Sequence, residues 1–423
     1  MKRISLPYGT EQFSFSYDPE RFSVLTPDPL KRALSNEEIA KALAHPIDSQ
    51  SLDELAAKAK SALIVISDAT RITRAEVLLP FVIAQLERVG LNRESISIMV
   101  ATGNHRDATC AEVAELAGKE TASSFRIFQH NSTDDEQLVE VNTTSRGTKA
   151  KLNRLLFDHD LVITISAATA HYFAGFGGGR KSIFPGLGSK DAIIHNHLLA
   201  IDYEKESMAA GVEPCRLDGN PLNDDLMEIV AQRPPDFSID SILTLDHHIG
   251  ALYCGHWETS HRKACDRFMN HHGVHIAETK PLVIASCGGY PKDIDLTQSH
   301  KTIQYATKAL TPGGKLLLLA CCSEGFSNRA ISQFFPVKDA GSLLNKIRKQ
   351  QVANGQTALA LHQKTKQFSI GFVSSIPDEE VERFGLIPFD SIEKGLEWID
   401  SGNDSDRDGF IIPYGSMTIP LAG

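Results

Sequence analysis

"ALIVISDATRITRAEVLLPFVIAQLERVGLNRESISIMVATGNHR", residues 62–106, decides how this chain folds. Two runs inside it, "ALIVISD" (62–68) and "SISIMVATG" (95–103), are short, apolar and β-branched and flank a helical pattern, which suits strands buried in a parallel sheet. The intervening "RAEVLLPFVIAQLERVG" has the length and period of a helix, so the stretch reads as two parallel strands joined by a crossover helix. Outward from it, "FRIFQHN" (125–131) and "DLVITISAAT" (160–169) continue the rhythm. A helix at "NPLNDDLMEIVAQ" and strands at "SILTLDHH" and "GALYCGH" follow, then a charged helix, "WETSHRKACDRFMNHHG". The α/β pattern restarts at "KPLVIASCGG" (280–289), "GKLLLLACCSEG" (314–325) and "FSIGFVSSI" (368–376).

The expected fold is therefore α/β: two α/β domains with mostly parallel sheets and an active site in the cleft between them. The N-terminal, cofactor-binding domain is expected over residues 1–274 and the C-terminal domain over 275–405. The tail, 406–423, holds "GFIIPYGSMTIPLAG" and is too apolar for a free end, so it is expected to pack back on the N-terminal domain. A chain of 423 residues exceeds what one hydrophobic core serves, in keeping with two lobes.

The net charge of −10, with no block of Lys and Arg, argues against nucleic acid as a partner, because phosphate neutralisation needs a basic face. No apolar stretch approaches the ~18 residues of a membrane span, and the amino terminus lacks an apolar leader. Seven scattered cysteines without a CxxC pair suit reduced thiols, so a cytoplasmic location is expected.

Ligands in open α/β sheets collect on loops that leave the carboxyl ends of strands. Four such places carry polar groups: "ISDATR" with Asp68, Thr70 and Arg71; "ATGNHR" with His105; "SAATAH" with His171; and "SCGGYPKDIDLTQSHK" with Gln298 and Lys301. Asp68 could equally cap a helix, and His105 could be a buried histidine bonded to backbone. Beyond His171, "AHYFAGFGGGRKSIFPG" (170–186) sets Gly177, Gly178 and Gly179 before Lys181, a phosphate-cradle composition. The run still fails both known templates: Arg180 stands where a P-loop has glycine, and Arg180 and Ser182 stand where a dinucleotide fingerprint has its last glycine. His195 and His197 would share a face on a strand but not on a helix. Neither belongs to a zinc-type spacing, although a single histidine could hold a metal whose other ligands come from elsewhere. Gln298 and Lys301 are three apart at the start of an expected helix, hence on one face, where an amide and an ammonium suit a carboxylate or carbonyl.

In order, "DATR", "GNHR", "AHYFAGFGGGRK", an "NH" whose histidine lies sixteen residues past the lysine, "GGYPKDIDLTQSHK" and "CCSEGF" resemble the lactate racemase family that uses a nickel-pincer nucleotide. The resemblance spans residues 68 to about 326. It implies racemisation or epimerisation at C2 of a 2-hydroxy acid by proton-coupled hydride transfer, with His105 and His171 as the two acid/bases. His197 would be the protein's nickel ligand, in line with soft sulfurs plus one imidazole around Ni(II). Lys181 would be the residue able to join the cofactor covalently. Gly177, Gly178 and Gly179 would let backbone pass close to it, and Asp68 and Thr70 would help hold its nucleotide portion. Arg71 and Lys301 would take the substrate carboxylate and Gln298 its polar oxygen. The cofactor's biosynthetic proteins would then be partners. Two departures stand out: Ile72 follows Arg71 where many members have proline, and Thr297 stands where the lactate-specific pattern has an aromatic residue, leaving room for a larger acid. Two other readings compete, a non-catalytic nucleotide- or phosphate-binding protein and a zinc-dependent hydrolase.

Overall fold

The computed structural model describes residues 1–325, 329–350, 354–401 and 407–422. Phe326 of the "CCSEGF" motif, and residues 405 and 406 at the expected end of the second domain, lie outside the described residues. The chain forms two compact units. The first comprises Pro29–Leu199 and Cys215–Phe268; the second comprises Met1–Asp28, Ala200–Pro214 and Met269–Gly423.

The first unit is built on a six-stranded sheet ordered Ile249–Gly255, Phe237–Leu243, Leu161–Ala167, Ala62–Ser67, Ile96–Ala101, Arg126–Gln129. All neighbours are parallel except the first pair, which forms an antiparallel edge. The apolar character of these strands has a direct cause. Ile64, Ile66, Ile98 and Ile163 face one layer, where helix Ala75–Arg88 packs through Leu78, Leu79, Val82 and Leu86. Leu63, Val65, Met99 and Val162 face the other, against Phe184, Leu187, Ile193, Leu226 and Ile229. Each of these side chains contributes about 1.5–3 kcal/mol when fully buried, so both faces of every central strand have to be apolar.

Topology decides where ligands can approach. The chain lays down Ala62–Ser67, then Ile96–Ala101 and Arg126–Gln129 to one side, and returns to place Leu161–Ala167 and Phe237–Leu243 on the other. The order reverses between Ala62–Ser67 and Leu161–Ala167, and loops diverge there at the carboxyl ends. Asp68 follows one of these strands and the segment reaching His171 follows the other.

The second unit has its own six-stranded parallel sheet, ordered Ile387–Phe389, Ser369–Val373, Leu310–Leu319, Lys280–Ser286, Gly409–Ile412, Phe22–Val24. This corrects the expected domain limits at both ends. The first 28 residues leave the expected 1–274 domain, because Phe22–Val24 completes this sheet beside Gly409–Ile412. The tail joins the second unit: Gly409–Ile412 is a strand of its sheet beside Phe22–Val24, and Ile419–Ala422 pairs in parallel with Gly273–Ile276. Parallel pairing joins strands distant in sequence, so adjacency along the chain does not reveal which sheet a short terminal strand completes. Residues 200–214 also belong to the second unit.

Two predictions follow from this division. Phe22 is buried with Leu282, Leu317 and Ile411, so Phe22→Ala should cost about 3–5 kcal/mol and speed amide exchange in Lys280–Ser286 and Gly409–Ile412. Protection in Ala62–Ser67 should be unchanged; loss of protection there instead would contradict the assignment.

Stability should also fall in acid. Burial pushes His272 down to about 4 and His300 down to about 3 from an ordinary 6.5. The unfolded chain takes up these protons as pH drops through 6.5 while the folded chain does not, so the stability is complete above that pH and is progressively lost toward pH 4. His272 Nδ1 donates to the Met417 carbonyl at 2.9 Å, a bond an asparagine amide can replace. Thermal melts of His272→Asn should therefore show a shallower acid slope than the parent.

Candidate functional site

Asp68, just past the strand Ala62–Ser67, is nearly buried, and its carboxylate is committed locally. Its Oδ2 lies 2.6 Å from His105 Nδ1, and its Oδ1 accepts from the Thr70 hydroxyl at 2.7 Å and the Thr70 N–H at 3.2 Å. Burial raises the Asp68 pKa, but the hydrogen bonds from His105 and Thr70 and the charge of Arg71 outweigh it and hold the carboxyl below its ordinary range. His105 is half-exposed, and its backbone N–H is tied to the Thr102 carbonyl at 2.9 Å. An ionised carboxylate only accepts, so in the neutral ring of His105 the proton sits on Nδ1 and the lone pair on Nε2.

His171 ends the short strand Thr169–His171, which pairs antiparallel with Gly175–Gly177 and sets His171 opposite Gly175. Its Nδ1 accepts the Ala174 N–H at 3.2 Å, which assigns the proton of the neutral ring to Nε2. The two histidines are thus held in opposite tautomers. Phe173 organises the surroundings: its ring meets His171 edge-on at 4.5 Å and His197 at 5.0 Å, and Lys181 Nζ lies 5.8 Å above it.

His195 and His197 lie on the helix Lys190–Leu198, so they diverge as the helical reading of their spacing requires. His195 is exposed and bonds Thr148 Oγ1 at 2.8 Å. Between them, Asn196 anchors the helix to the Leu222 carbonyl and to buried Asp225. His197 points to Phe173, and its Nδ1 is buried without a hydrogen-bond partner. Burial first, then the charges of Lys181 and His105, push this imidazole down to about 3.

The glycine run has a structural explanation of its own. Gly178 and Gly179 have φ of +79° and +53°. A Cβ on Gly178 would lie 2.5 Å from the Ala167 carbonyl oxygen, and one on Gly179 would lie 2.4 Å from the His261 ring. The Gly179 N–H is bonded to Ser166 Oγ at 2.7 Å and to Asp240 Oδ1 at 2.9 Å, so it is committed to side chains of the protein and not to a ligand phosphate. Arg180 likewise turns inward.

Gln298 and Lys301 lie on the helix Leu296–Ala306 of the second unit, one turn apart, with Lys301 Nζ donating to Gln298 Oε1 at 2.6 Å. That bond leaves the Gln298 amide NH₂ to donate elsewhere. Arg71 is exposed on the loop after Asp68. In the first unit, then, Asp68, Thr70 and His105 form one hydrogen-bonded group, and His171, Lys181 and His197 gather around Phe173. The sequence reading missed the pairing of Asp68 with His105. It also missed Asp240 and Ser166, although a carboxylate and a hydroxyl inside the buried strands "FSIDSIL" and "LVITISA" must find partners, which was the available signal.

A model of the lactate racemase N-terminal domain matches residues 8–209, and one of the lactate racemase C-terminal domain matches residues 276–419. The chain belongs to the lactate racemase family. Within it, the chain is 30% identical over 353 residues to the lactate racemase of Thermoanaerobacterium thermosaccharolyticum, covering 82% of this chain and 81% of that one. It is 27% identical over 390 residues to the lactate racemase of Lactiplantibacillus plantarum, covering 90% of each. The structure of the lactate racemase apoprotein from Thermoanaerobacterium thermosaccharolyticum matches with a TM-score of 0.92 and 26% identity, over 99% of this chain and 100% of that one. Lactate racemases are isomerases, and two α/β domains with mostly parallel sheets are shared with that structure. No helix among the described residues is long and apolar enough to cross a membrane.

The residues fit the cofactor that the sequence resemblance implies. A neutral imidazole at His197 is a donor that nickel accepts, and the Lys181 amine lies in the same cluster. The described residues contain no group of three or more His, Cys, Asp or Glu that could hold a metal ion, whereas a catalytic zinc takes three protein ligands.

Gly179→Ala should destabilise the chain by about 2–5 kcal/mol, adding left-handed strain to a collision with the His261 ring. Gly90→Ala, at φ +102° with nothing within 4 Å of its Cβ, carries strain alone and should cost less in the same denaturation series. Equal losses would refute the packing explanation.

Proposed function

We propose that this protein interconverts the two configurations at C2 of a 2-hydroxy acid, with His105 and His171 as its two acid/base groups and a nickel-pincer nucleotide as cofactor. The observation that carries the reading is the opposite kind of partner at the two Nδ1 atoms, a carboxylate at His105 and a backbone N–H at His171. His105, holding its proton toward Asp68, offers a lone pair at Nε2, while His171, accepting from Ala174 N–H, offers an N–H at Nε2. Inversion needs such a pair, since the hydroxyl proton has to leave on one side and return on the other. Asp68 stabilises the imidazolium that forms when His105 takes that proton, and it keeps the ring from flipping to the wrong tautomer.

Side chains alone are poor at breaking the C2–H bond, whose pKa is far above that of any imidazole. The cofactor, when bound, supplies a hydride acceptor and donor. His197 would hold the metal through a nitrogen that burial keeps unprotonated, and Lys181 would be the point of covalent attachment. Gly177, Gly178 and Gly179 serve by shaping the turn that presents Lys181, and Thr70 by bracing the Asp68 carboxylate. Arg71 and Lys301 are assigned to the substrate carboxylate, and the Gln298 amide to a substrate oxygen. Thr297, with a small side chain, suits an acid larger than lactate. Loading requires the proteins that make the cofactor, and these are proposed as partners in the cytoplasm.

The phosphate-binding alternative is weakened because the Gly179 N–H and the Arg180 side chain are both engaged by protein. The zinc hydrolase reading lacks a three-ligand cluster among the described residues.

Protein co-produced with the cofactor's biosynthetic enzymes should contain nickel by elemental analysis and should abolish the optical rotation of one enantiomer from a panel of 2-hydroxy acids. Nickel-loaded protein that leaves the whole panel optically unchanged would overturn the reading. His105→Ala and His171→Ala should each lower turnover by about 10²–10⁴-fold while retaining nickel. His197→Ala should lose the metal. Asp68→Asn should keep the fold and nickel yet lower turnover, since an amide donor opposite His105 Nδ1 favours the wrong tautomer.

A further inference from the structure

We propose that Arg180 is a positioning residue which, braced by His261 and Asp240, sets His171 and Lys181 together. The proposal rests on the roles given to those two residues above.

Arg180 is only 2% exposed, beside a small cavity it lines with Asn223, His261 and Arg262. Burial lowers its guanidinium to about 10, which leaves it charged at neutral pH. A buried guanidinium has five N–H donors and no acceptor, so each unmatched donor is costly. Here Nε donates to Asn223 Oδ1 at 2.7 Å, Nη2 to the Ala174 carbonyl at 3.0 Å, and Nη1 to the Phe176 carbonyl at 3.3 Å and His261 Nε2 at 2.9 Å. With these contacts made to protein, the side chain is unsuited to holding a ligand phosphate.

Two of these acceptors belong to the hairpin of His171. Ala174 is the residue whose N–H fixes the His171 tautomer, and its carbonyl is the one Arg180 holds. Phe176 pairs with Ala170 in the same hairpin. In the other direction, Arg180 is bonded covalently to Lys181 and to Gly179, whose N–H is fixed by Asp240 and Ser166. One side chain therefore couples the arm carrying an acid/base to the turn carrying the amine.

His261 completes the brace. Arginine can only donate, so His261 Nε2 is the acceptor and the imidazole proton lies on Nδ1, 3.3 Å from Asp240 Oδ1. Burial lowers the His261 pKa and keeps the ring neutral. The close approach of that ring to the Gly179 backbone blocks any displacement of the turn toward the helix Thr259–His272.

The test uses Arg180→Met, His261→Leu and His261→Gln, the last retaining an acceptor for Arg180. In cofactor-free protein, the rate of acetylation at Lys181 by an N-hydroxysuccinimide ester, read by peptide mass spectrometry against exposed Lys190, should change at least about threefold in the first two variants. In loaded protein their kcat should fall about 10- to 100-fold with KM within about twofold, because misplaced groups lose turnover while the carboxylate contacts remain. His261→Gln should recover most of both. Folded Arg180→Met and His261→Leu with parental labelling and kcat would overturn the proposal, as would a His261→Gln no better than His261→Leu. If Arg180→Met does not fold, Arg180→Lys decides: it retains charge without the fork, so a lowered kcat at parental KM supports the proposal and parental values overturn it. Should loaded parental protein racemise nothing, the functional reading fails alone, and the labelling comparison still judges the brace.

Discussion

A guanidinium closed off from water cannot shed its charge at neutral pH and must find protein acceptors, and this requirement at Arg180 ties the His171 hairpin to two helices of the first unit. Its partners come from the Thr169–Gly177 hairpin, the helix Pro221–Val230 through Asn223, and the helix Thr259–His272 through His261. The glycines preceding it are part of the same solution. Gly178 lets the turn lie on the Ala167 carbonyl and Gly179 lets it lie on the His261 ring, so the least constrained residues in the chain form a tightly packed turn.

Around that turn the sheet contributes geometry of a second kind. Strand order reverses between Ala62–Ser67 and Leu161–Ala167, so their following loops part and leave Asp68 with His105 on one side and the His171 hairpin on the other. The dipole of each imidazole is set by a different partner, a carboxylate for His105 and a backbone N–H for His171. A pair poised as acceptor and donor follows from these local bonds, before any ligand arrives.

The two units are woven from non-contiguous segments. The chain passes between them after residues 28, 199, 214 and 268, and the last passage falls inside the helix Thr259–His272. The central strands were legible because a strand covered on both faces has to be largely apolar, as "ALIVIS" is, whereas the hairpin 138–153 and the helices Ala340–Gln350, Gly355–Gln367 and Ile392–Ile399 were not read from the sequence. Domain membership was not legible for Phe22–Val24 or Gly409–Ile412, since a three- or four-residue apolar strand can complete either sheet equally well on local grounds.

By itself the sequence determined the α/β class and the strand-end positions of Asp68, His105 and His171, which depend on residues a few places apart and on their period; whether His195 and His197 share a face waited on the helix Lys190–Leu198. Ordered motifs also carried the family. Tertiary structure alone decided that Asp68 serves His105, that Arg180 faces inward to Ala174 and His261, and that the tail joins the second unit's sheet. Asp68 meets His105 across 37 residues of chain and Arg180 meets His261 across 81, and a linear pattern does not encode such pairings of buried polar groups.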